Sequence, residues 1–249
     1  MIIEKEGIKR MKTTTTNNQE IINKIREGKE LNQAEKIQFM NALQNAITKN
    51  HSGKMEGLQS LSTSVLLNEN CKKNASISGS ICSHCYASKL LKMRHALDDK
   101  MEENTNLLTS VIIPLEYLPT TYTLYFRFEA FGDLNNATQV VNYFNIARKN
   151  QQTRFALFTK NPHFIKEAIE EKGTTKPENV NIIFSSLFLN TKNESTMRKY
   201  NFIDKVFTVY DPKYIKDQNI DINCGGRHCA SCLKCYTKND IKHISEKLK

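Results

Sequence analysis

Long apolar runs are missing from this sequence. No window approaches the ~18 consecutive apolar residues of a membrane-spanning helix. The N-terminal Met1-Ile-Ile-Glu-Lys-Glu-Gly7 also lacks the apolar stretch of a signal peptide. The expectation is a cytoplasmic protein with no membrane association. Absent too are a P-loop, a glycine-rich dinucleotide fingerprint, a G-x-S-x-G elbow and an H-E-x-x-H motif. Those absences remove the commonest sequence routes to nucleotide hydrolysis, Rossmann-type redox, α/β-hydrolase and zinc-protease chemistry. Cysteine is missing from most of the chain, because all seven lie in two stretches, 71–85 and 224–235. In a reducing compartment, cysteines clustered in this way point to metal ligation or redox chemistry and away from structural disulfides.

What is present begins with 249 residues, 39% of them hydrophobic, enough for a sizeable core. The formal charge of +10 suits an anionic partner such as nucleic acid. Lysine is spread over the whole length, however, and a solvated surface explains it as well. Residues 1–16 are polar and end in Thr13 to Thr16, a leader without a structural pattern. Two helices follow, one marked by Ile21, Ile22 and Ile25, the other by Ile37, Met40, Leu43 and Ile47. Asn32 with Glu35 forms a capping-box pattern that opens the second. His51 to Lys54 closes the pair as a loop. Residues 1–56 therefore read as an N-terminal helical extension with no chemistry of its own.

From residue 57 to 215 strands and helices alternate. Leu61–Leu67, Thr121–Phe131, Phe155–Thr159, Val180–Ser186 and Val206–Tyr210 read as strands rich in β-branched and aromatic residues. Helical patterns lie between them: about Ser83 to Thr109, around Val140, Phe144 and Ala147, from Asn161-Pro162 to Gly173, and Glu194–Tyr200. Repeated βα units imply an α/β fold with parallel strands and helices outside. The prediction is a partial or irregular (βα) barrel, with an open doubly wound sheet as rival. Residues 216–249 form a C-terminal cysteine-rich segment whose lysine-rich end reads as a solvated helix. Ligands of such sheets sit at the carboxyl ends of the strands. That rule gathers the first cysteine loop, Gly132-Asp133, Thr159-Lys160 and Ser185-Ser186 on one rim.

The cysteine spacings carry the chemistry. Cys71, Cys82 and Cys85 alone can neither close a tetrahedral zinc site nor saturate a four-iron cluster. Three thiolates suit a [4Fe–4S] cluster with one iron left open. Cys224-x4-Cys229-x2-Cys232-x2-Cys235 suits a fully ligated second cluster, with Gly225 and Gly226 letting the backbone bend around sulfide. Zinc is the alternative, shared between Cys82-x2-Cys85 and Cys232-x2-Cys235 or held by the last four cysteines. A single zinc would leave three thiols unexplained.

A three-cysteine loop after the first strand of a βα series resembles the radical S-adenosylmethionine (SAM) superfamily. The usual spacing there is C-x3-C-x2-C, whereas this chain has C-x10-C-x2-C and keeps only the compact half with Tyr86. The resemblance implies SAM as a cofactor, with Glu129-Ala-Phe-Gly132-Asp133 in the place of the element that receives its amino group. The order of motifs is more closely similar to a phage family known as gene product 88. Shared are a Ser/Thr-rich first strand, C-x2-C-Tyr-Ala, an Arg127-x4-Gly132-Asp133 strand end, a Phe-Thr-Lys strand end and a C-terminal cysteine group. That resemblance runs from about Leu58 to Tyr236 and implies no substrate.

The remaining candidates each have a plain reading. Asp133 orients substrate or SAM, or caps the next helix with Asn135. Arg127 and Glu129 act in catalysis, or form a structural ion pair. Lys160 contacts a carboxylate or phosphate, or is exposed. Ser185 and Ser186 donate to a cofactor, or finish a strand. His84 and His228 are ligands, or supporting and exposed residues. The paired acids Asp98-Asp99 and Glu102-Glu103 read as surface charge. The expectation is an iron–sulfur, radical-SAM-like enzyme served by an electron donor such as flavodoxin or ferredoxin. The alternative is a zinc- or cluster-stabilised nucleic-acid-binding protein.

Overall fold

The computed structural model describes residues 18–225 and 228–248. The polar leader and Gly226 lie outside them. Helix α1 (18–26) is followed by α2 (Gln33–Ala46), which opens with the expected capping box: Asn32 accepts from the Glu35 amide, and Glu35 accepts from that of Asn32. The buried stripe of α2 is Phe39, Leu43 and Ala46, at i, i+4 and i+7, while Ile37 and Met40 are exposed. The expected stripe shared only Leu43 with it, because Phe39 is the larger side chain and takes the core position. With Ile21, Ile22 and Leu31 these residues join the main core, so both helices pack on the sheet's own helices.

One sheet runs through the protein in sequence order: β1 (Thr48–Lys49), β2 (Gln59–Leu61), β3 (Tyr125–Phe128), β4 (Arg154–Thr159), β5 (Val180–Ser185), β6 (Lys205–Tyr210) and β7 (His243–Lys247). All pairs from β2 to β7 are parallel, and β1 adds antiparallel to β2. Between the strands lie α3 (Glu69–Ser76), α4 (Tyr86–Met93), α5 (His95–Thr109), α6 (Ala137–Lys149), α7 (Pro162–Glu170), α8 (Glu194–Lys199), α9 (Pro212–Asp217) and α10 (Cys229–Cys232). Parallel strands in sequential order with helical crossovers are the winding of a (βα) barrel.

The sheet curls. In a flat sheet β2 and β7 would lie roughly 24 Å apart, at about 4.8 Å per strand. Yet Lys54, in a single 3-10 turn just before β2, makes a salt bridge with Glu246 of β7. The two edges are thus joined by a side chain, as a partial barrel requires.

Its outer face is aromatic. Phe128 stacks on Phe155 of β4 at 4.9 Å and on Tyr143 of α6 at 4.2 Å between ring centroids. Burying each such ring contributes about 1.5–3 kcal/mol. The inner face carries Arg127, Ala156, Phe158, Asn181, Ile183, Phe207, Ile244 and Glu246, set side by side by the parallel register.

Several expected boundaries move for local reasons. The first strand is Gln59–Leu61 instead of Leu61–Leu67, because Ser62, Thr63 and Ser64 turn their polar groups to Ala130, Glu129 and Thr105. The second ends at Phe128, where Glu129 enters the left-handed region at φ 55°. The long helix expected over 83–109 breaks at Arg94 into α4 and α5. The lysine-rich end is no solvated helix: it is β7, with Ile244 and Ser245 buried.

Candidate functional site

The C-terminal cysteines lie in the β6–β7 connection, which folds back against the inner face of the sheet. Two hydrogen bonds of 3.1 Å, from the Asn181 side chain to the carbonyls of Cys235 and Thr237, fix it there. Cys224 pairs with β7 through its amide, which donates to Ser245 at 2.9 Å. The short α10 carries Cys229 and Cys232 and ends at Leu233, whose φ of 55° turns the chain so that Cys235 returns to the group. Leu233, Tyr236, Cys229 and Cys235 then pack with Ala156, Phe158, Ile183 and Phe207.

All four cysteines line one cavity of about 340 Å³, together with Lys54, Asn223, Lys234 and Ile244. Burial pushes the Cys235 thiol up to about 12, and the Arg127 guanidinium is the largest opposing influence. Burial raises Cys229 too, again against Arg127 and then Lys54. Lys54 Nζ lies 3.1 Å from Cys224 Sγ. Burial works against the Lys54 cation, but its bonds to Glu246 and Cys224 prevail and its pKa is raised. Burial thus favours the neutral thiol at Cys229 and Cys235, with Arg127 opposing it at both.

The first group sits on the carboxyl-terminal rim. Cys71 is on α3, not in a loop. Its amide donates to the N-cap Asn68 at 3.0 Å, and the Asn68 amide group reaches the carbonyls of Asp133 and Leu134. Cys82 lies in a single 3-10 turn, Ile81–His84, capped by Ser80 and pinned by the Ile81 amide to Leu187 after β5. Cys85 precedes α4 and packs with Cys71 against Val65, Ala87, Leu91 and Met101. Burial raises the Cys71 thiol, followed by Asp133 and Cys82, while Lys160 pulls it back. Burial raises Cys82 as well, and Lys160 again lowers it. Among the described residues no three His, Cys, Asp or Glu side chains close on one ion-sized point.

The rim residues divide into those that hold the frame and those that face the site. Glu129 is fully buried. It accepts from the Thr63 amide and hydroxyl, Gln139 and Tyr143. Burial raises its carboxyl to about 7, against the bonds from Tyr143 and Thr63. It points at α6, so the ion pair expected with Arg127 is not formed among the described residues; Arg127 faces the lumen instead. Asp133 accepts from Thr159 Oγ1 at 2.6 Å, the Leu134 amide at 2.8 Å and the Lys160 amide at 2.9 Å. It caps no helix, for Asn136 caps α6. Burial, opposed by Lys160, raises its pKa. Gly132 packs directly on Glu129 and the Thr63 carbonyl. These three residues brace the loops after β2, β3 and β4.

Lys160 and Ser185 face the site. Lys160 Nζ donates to Ser185 Oγ at 3.2 Å, next to Cys71 and Cys82. Ser186 is committed to the strand ends, with its hydroxyl 3.2 Å from Thr208 Oγ1. Tyr86 keeps an exposed ring and donates its hydroxyl to the Ala130 carbonyl at 2.9 Å. His84 is exposed, and His228 stands beside Glu56 outside the cavity. Arg127 lies on the inner face with its guanidinium stacked on Phe158 at 3.9 Å.

The sequence that builds this arrangement matches a family model. The family model described as gene product 88 covers residues 25–249. The chain belongs to the gene product 88 family. The match takes in only the end of α1 but all of α2 and β7, beyond the Leu58–Tyr236 span of the motifs. No curated protein and no solved structure matches. No helix among the described residues is long and apolar enough to cross a membrane.

Three participants escaped the sequence reading. Lys54 sat in a loop with no apparent chemistry, although its partner Cys224 is 170 positions away. Gln139 and Tyr143, four apart on α6, looked like ordinary helix residues until Glu129 was seen to point at them. Only their i, i+4 spacing on one face was available as a signal.

Proposed function

We propose that this gene product 88 protein is an iron–sulfur enzyme with two cysteine-ligated centres and a radical-SAM-like reaction. The observation that carries it is the cavity of about 340 Å³ lined by all four C-terminal cysteines, while the other three gather on the carboxyl-terminal rim. Seven thiol donors in two groups suit clusters better than a single zinc ion, which would leave three of them unexplained. Cys224, Cys229, Cys232 and Cys235 would hold the closed centre, and Cys71, Cys82 and Cys85 the open one. With SAM at the open centre, such a site supplies one-electron chemistry at a carbon centre.

This chain's own residues do the rest. Lys160 and Ser185 present an ammonium and a hydroxyl to a carboxylate of the cofactor. Asp133 fixes the Lys160 backbone and Glu129 fixes the turn that ends β3. Phe158, Ile183 and Phe207 line the lumen and exclude water. An external one-electron donor such as flavodoxin or ferredoxin completes the scheme. The rival nucleic-acid reading rests on the +10 charge and the lysine-rich C-terminal end, but lysine is spread over the whole sequence and that end is taken up by β7.

The test is anaerobic purification followed by iron, sulfide and zinc counts per chain. Reductant and SAM are then added and 5′-deoxyadenosine is assayed. About eight irons per chain are expected for two cubanes, with 5′-deoxyadenosine formed. Stoichiometric zinc without sulfide overturns the reading. Iron and sulfide without SAM cleavage would reduce it to an electron-transfer or structural cluster protein.

A further inference from the structure

Arg127 carries a buried polar group that no neighbour among the described residues satisfies. Its Nε is the only buried side-chain nitrogen or oxygen without a hydrogen-bond partner among the described residues. The guanidinium lies flat on Phe158 at 3.9 Å, and its Nη1 meets only the Met55 sulfur, at 3.7 Å. It forms no salt bridge among the described residues, for Glu129, two positions on, is turned to α6. A buried guanidinium N–H without an acceptor carries a desolvation cost that no hydrogen bond offsets. Such groups are rare in folded proteins, and each calls for an explanation, a redox or ligand-holding role among them.

The surroundings say where that partner lies. Phe158, the platform under Arg127, packs in the same cluster as Cys229, Cys235, Leu233 and Tyr236. Met55, on the other side, belongs to the turn of Lys54, whose Nζ touches Cys224. That turn packs on α10, which carries Cys229 and Cys232. Arg127 thus stands beside the four-cysteine cavity, on a ring that packs with Cys229 and Cys235, without itself being among the lining residues. Its charge also works most strongly against the burial of Cys229 and Cys235.

We propose that Arg127 is the fixed counter-charge of the C-terminal centre, with its free N–H reserved for a sulfur of the group that the four cysteines hold. The inference rests on the reading of that cavity as a cluster site. It assigns Arg127 a positioning and potential-setting role, not a role on substrate. A cation with an N–H on a thiolate or sulfide stabilises the reduced, more negative state, and so raises the reduction potential. A charged hydrogen bond is worth roughly 1.5–3 kcal/mol, about tenfold or more in the redox equilibrium. For one electron, tenfold is ~59 mV.

The experiment uses the full chain, loaded anaerobically, with Arg127→Gln and Arg127→Lys. Both are read by circular dichroism, iron and sulfide content, and potentiometric titration followed by electron paramagnetic resonance. Cys71, Cys82 and Cys85 are replaced by serine in every sample, so that only the C-terminal centre reports. Arg127→Gln is expected to shift the midpoint about tenfold in equilibrium toward the oxidised state. Arg127→Lys, which keeps the charge, is expected to stay near the parent value. A folded, loaded Arg127→Gln with an unchanged potential overturns the proposal, as does an Arg127→Lys as shifted as the glutamine variant. Failure of both variants to fold assigns Arg127 to packing and also overturns it. A parent protein that binds no iron or sulfide fails the cluster reading itself, before Arg127 is tested.

Discussion

Gly132 sits on the carboxylate of Glu129. A β-carbon at position 132 would come within 2.3 Å of Glu129 Oε2 and 2.5 Å of the Thr63 carbonyl oxygen. Neither can retreat, since Glu129 is held by Thr63, Gln139 and Tyr143, and Thr63 is itself buried. The glycine is required by close approach and not by φ, which is outside the left-handed region. Gly132→Ala is therefore expected to destabilise the fold by about 1–3 kcal/mol. Urea denaturation measures this. A wild-type midpoint would show that the rim can yield and would leave position 132 free for a cofactor role.

The same carboxylate makes stability depend on pH. Burial raises Glu129 from 4.5 to about 7, so the folded state binds its proton more tightly than the unfolded chain does. The contribution is then complete below about pH 4.5 and lost as pH rises through about 7, on the order of 3 kcal/mol. Asp133, also raised, adds in the same direction. Denaturation midpoints are expected to fall between about pH 5 and pH 8.5, and to fall much less in Glu129→Gln. Equal slopes for the two proteins would remove Glu129 as the cause.

Much of the fold was legible because local signals agreed with one another. The Asn32–Glu35 capping box stands as expected, and the apolar runs expected as strands at Phe155–Thr159 and Val180–Ser186 each stand within one residue of the observed strands. β7 escaped because His243-Ile-Ser-Glu-Lys247 is short, charged and set among lysines. Its strand character comes from pairing with β6 and from the bridge to Cys224. The two cysteine groups and the rim order could be read from spacing. The division of labour on the rim could not, because it depends on Glu129 turning at φ 55° away from Arg127. No property of Arg-Phe-Glu in the sequence announces that turn.

Asp133 is a strut, and its removal should show as lost stability before lost chemistry. Its carboxylate satisfies Thr159, Leu134 and Lys160 from inside the protein. Asp133→Ala strands those donors and is expected to cost about 3 kcal/mol or more. Asp133→Asn keeps one acceptor oxygen and should cost less. Thermal unfolding of the unloaded protein separates the two. A stable Asp133→Ala that loses only its response to SAM would instead move Asp133 from the frame to the cofactor.

The two cysteine groups should load independently. They occupy different parts of the barrel: Cys71, Cys82 and Cys85 on the rim between α3 and α4, the other four inside the β6–β7 connection. They also differ in how much of the fold depends on them. The C-terminal group packs against Ala156, Ile183 and Phe207 in the lumen, whereas the first lies over a small satellite cluster around Leu91. Replacing Cys71, Cys82 and Cys85 by serine is therefore expected to leave roughly four of roughly eight irons, with the melting temperature little changed. Replacing Cys224, Cys229, Cys232 and Cys235 should remove the other half. It should also lower the melting temperature, because a bound group there ties β7 to the lumen. Complete loss of iron from either variant would mean that one centre draws ligands from both groups, and the two-centre arrangement would fall.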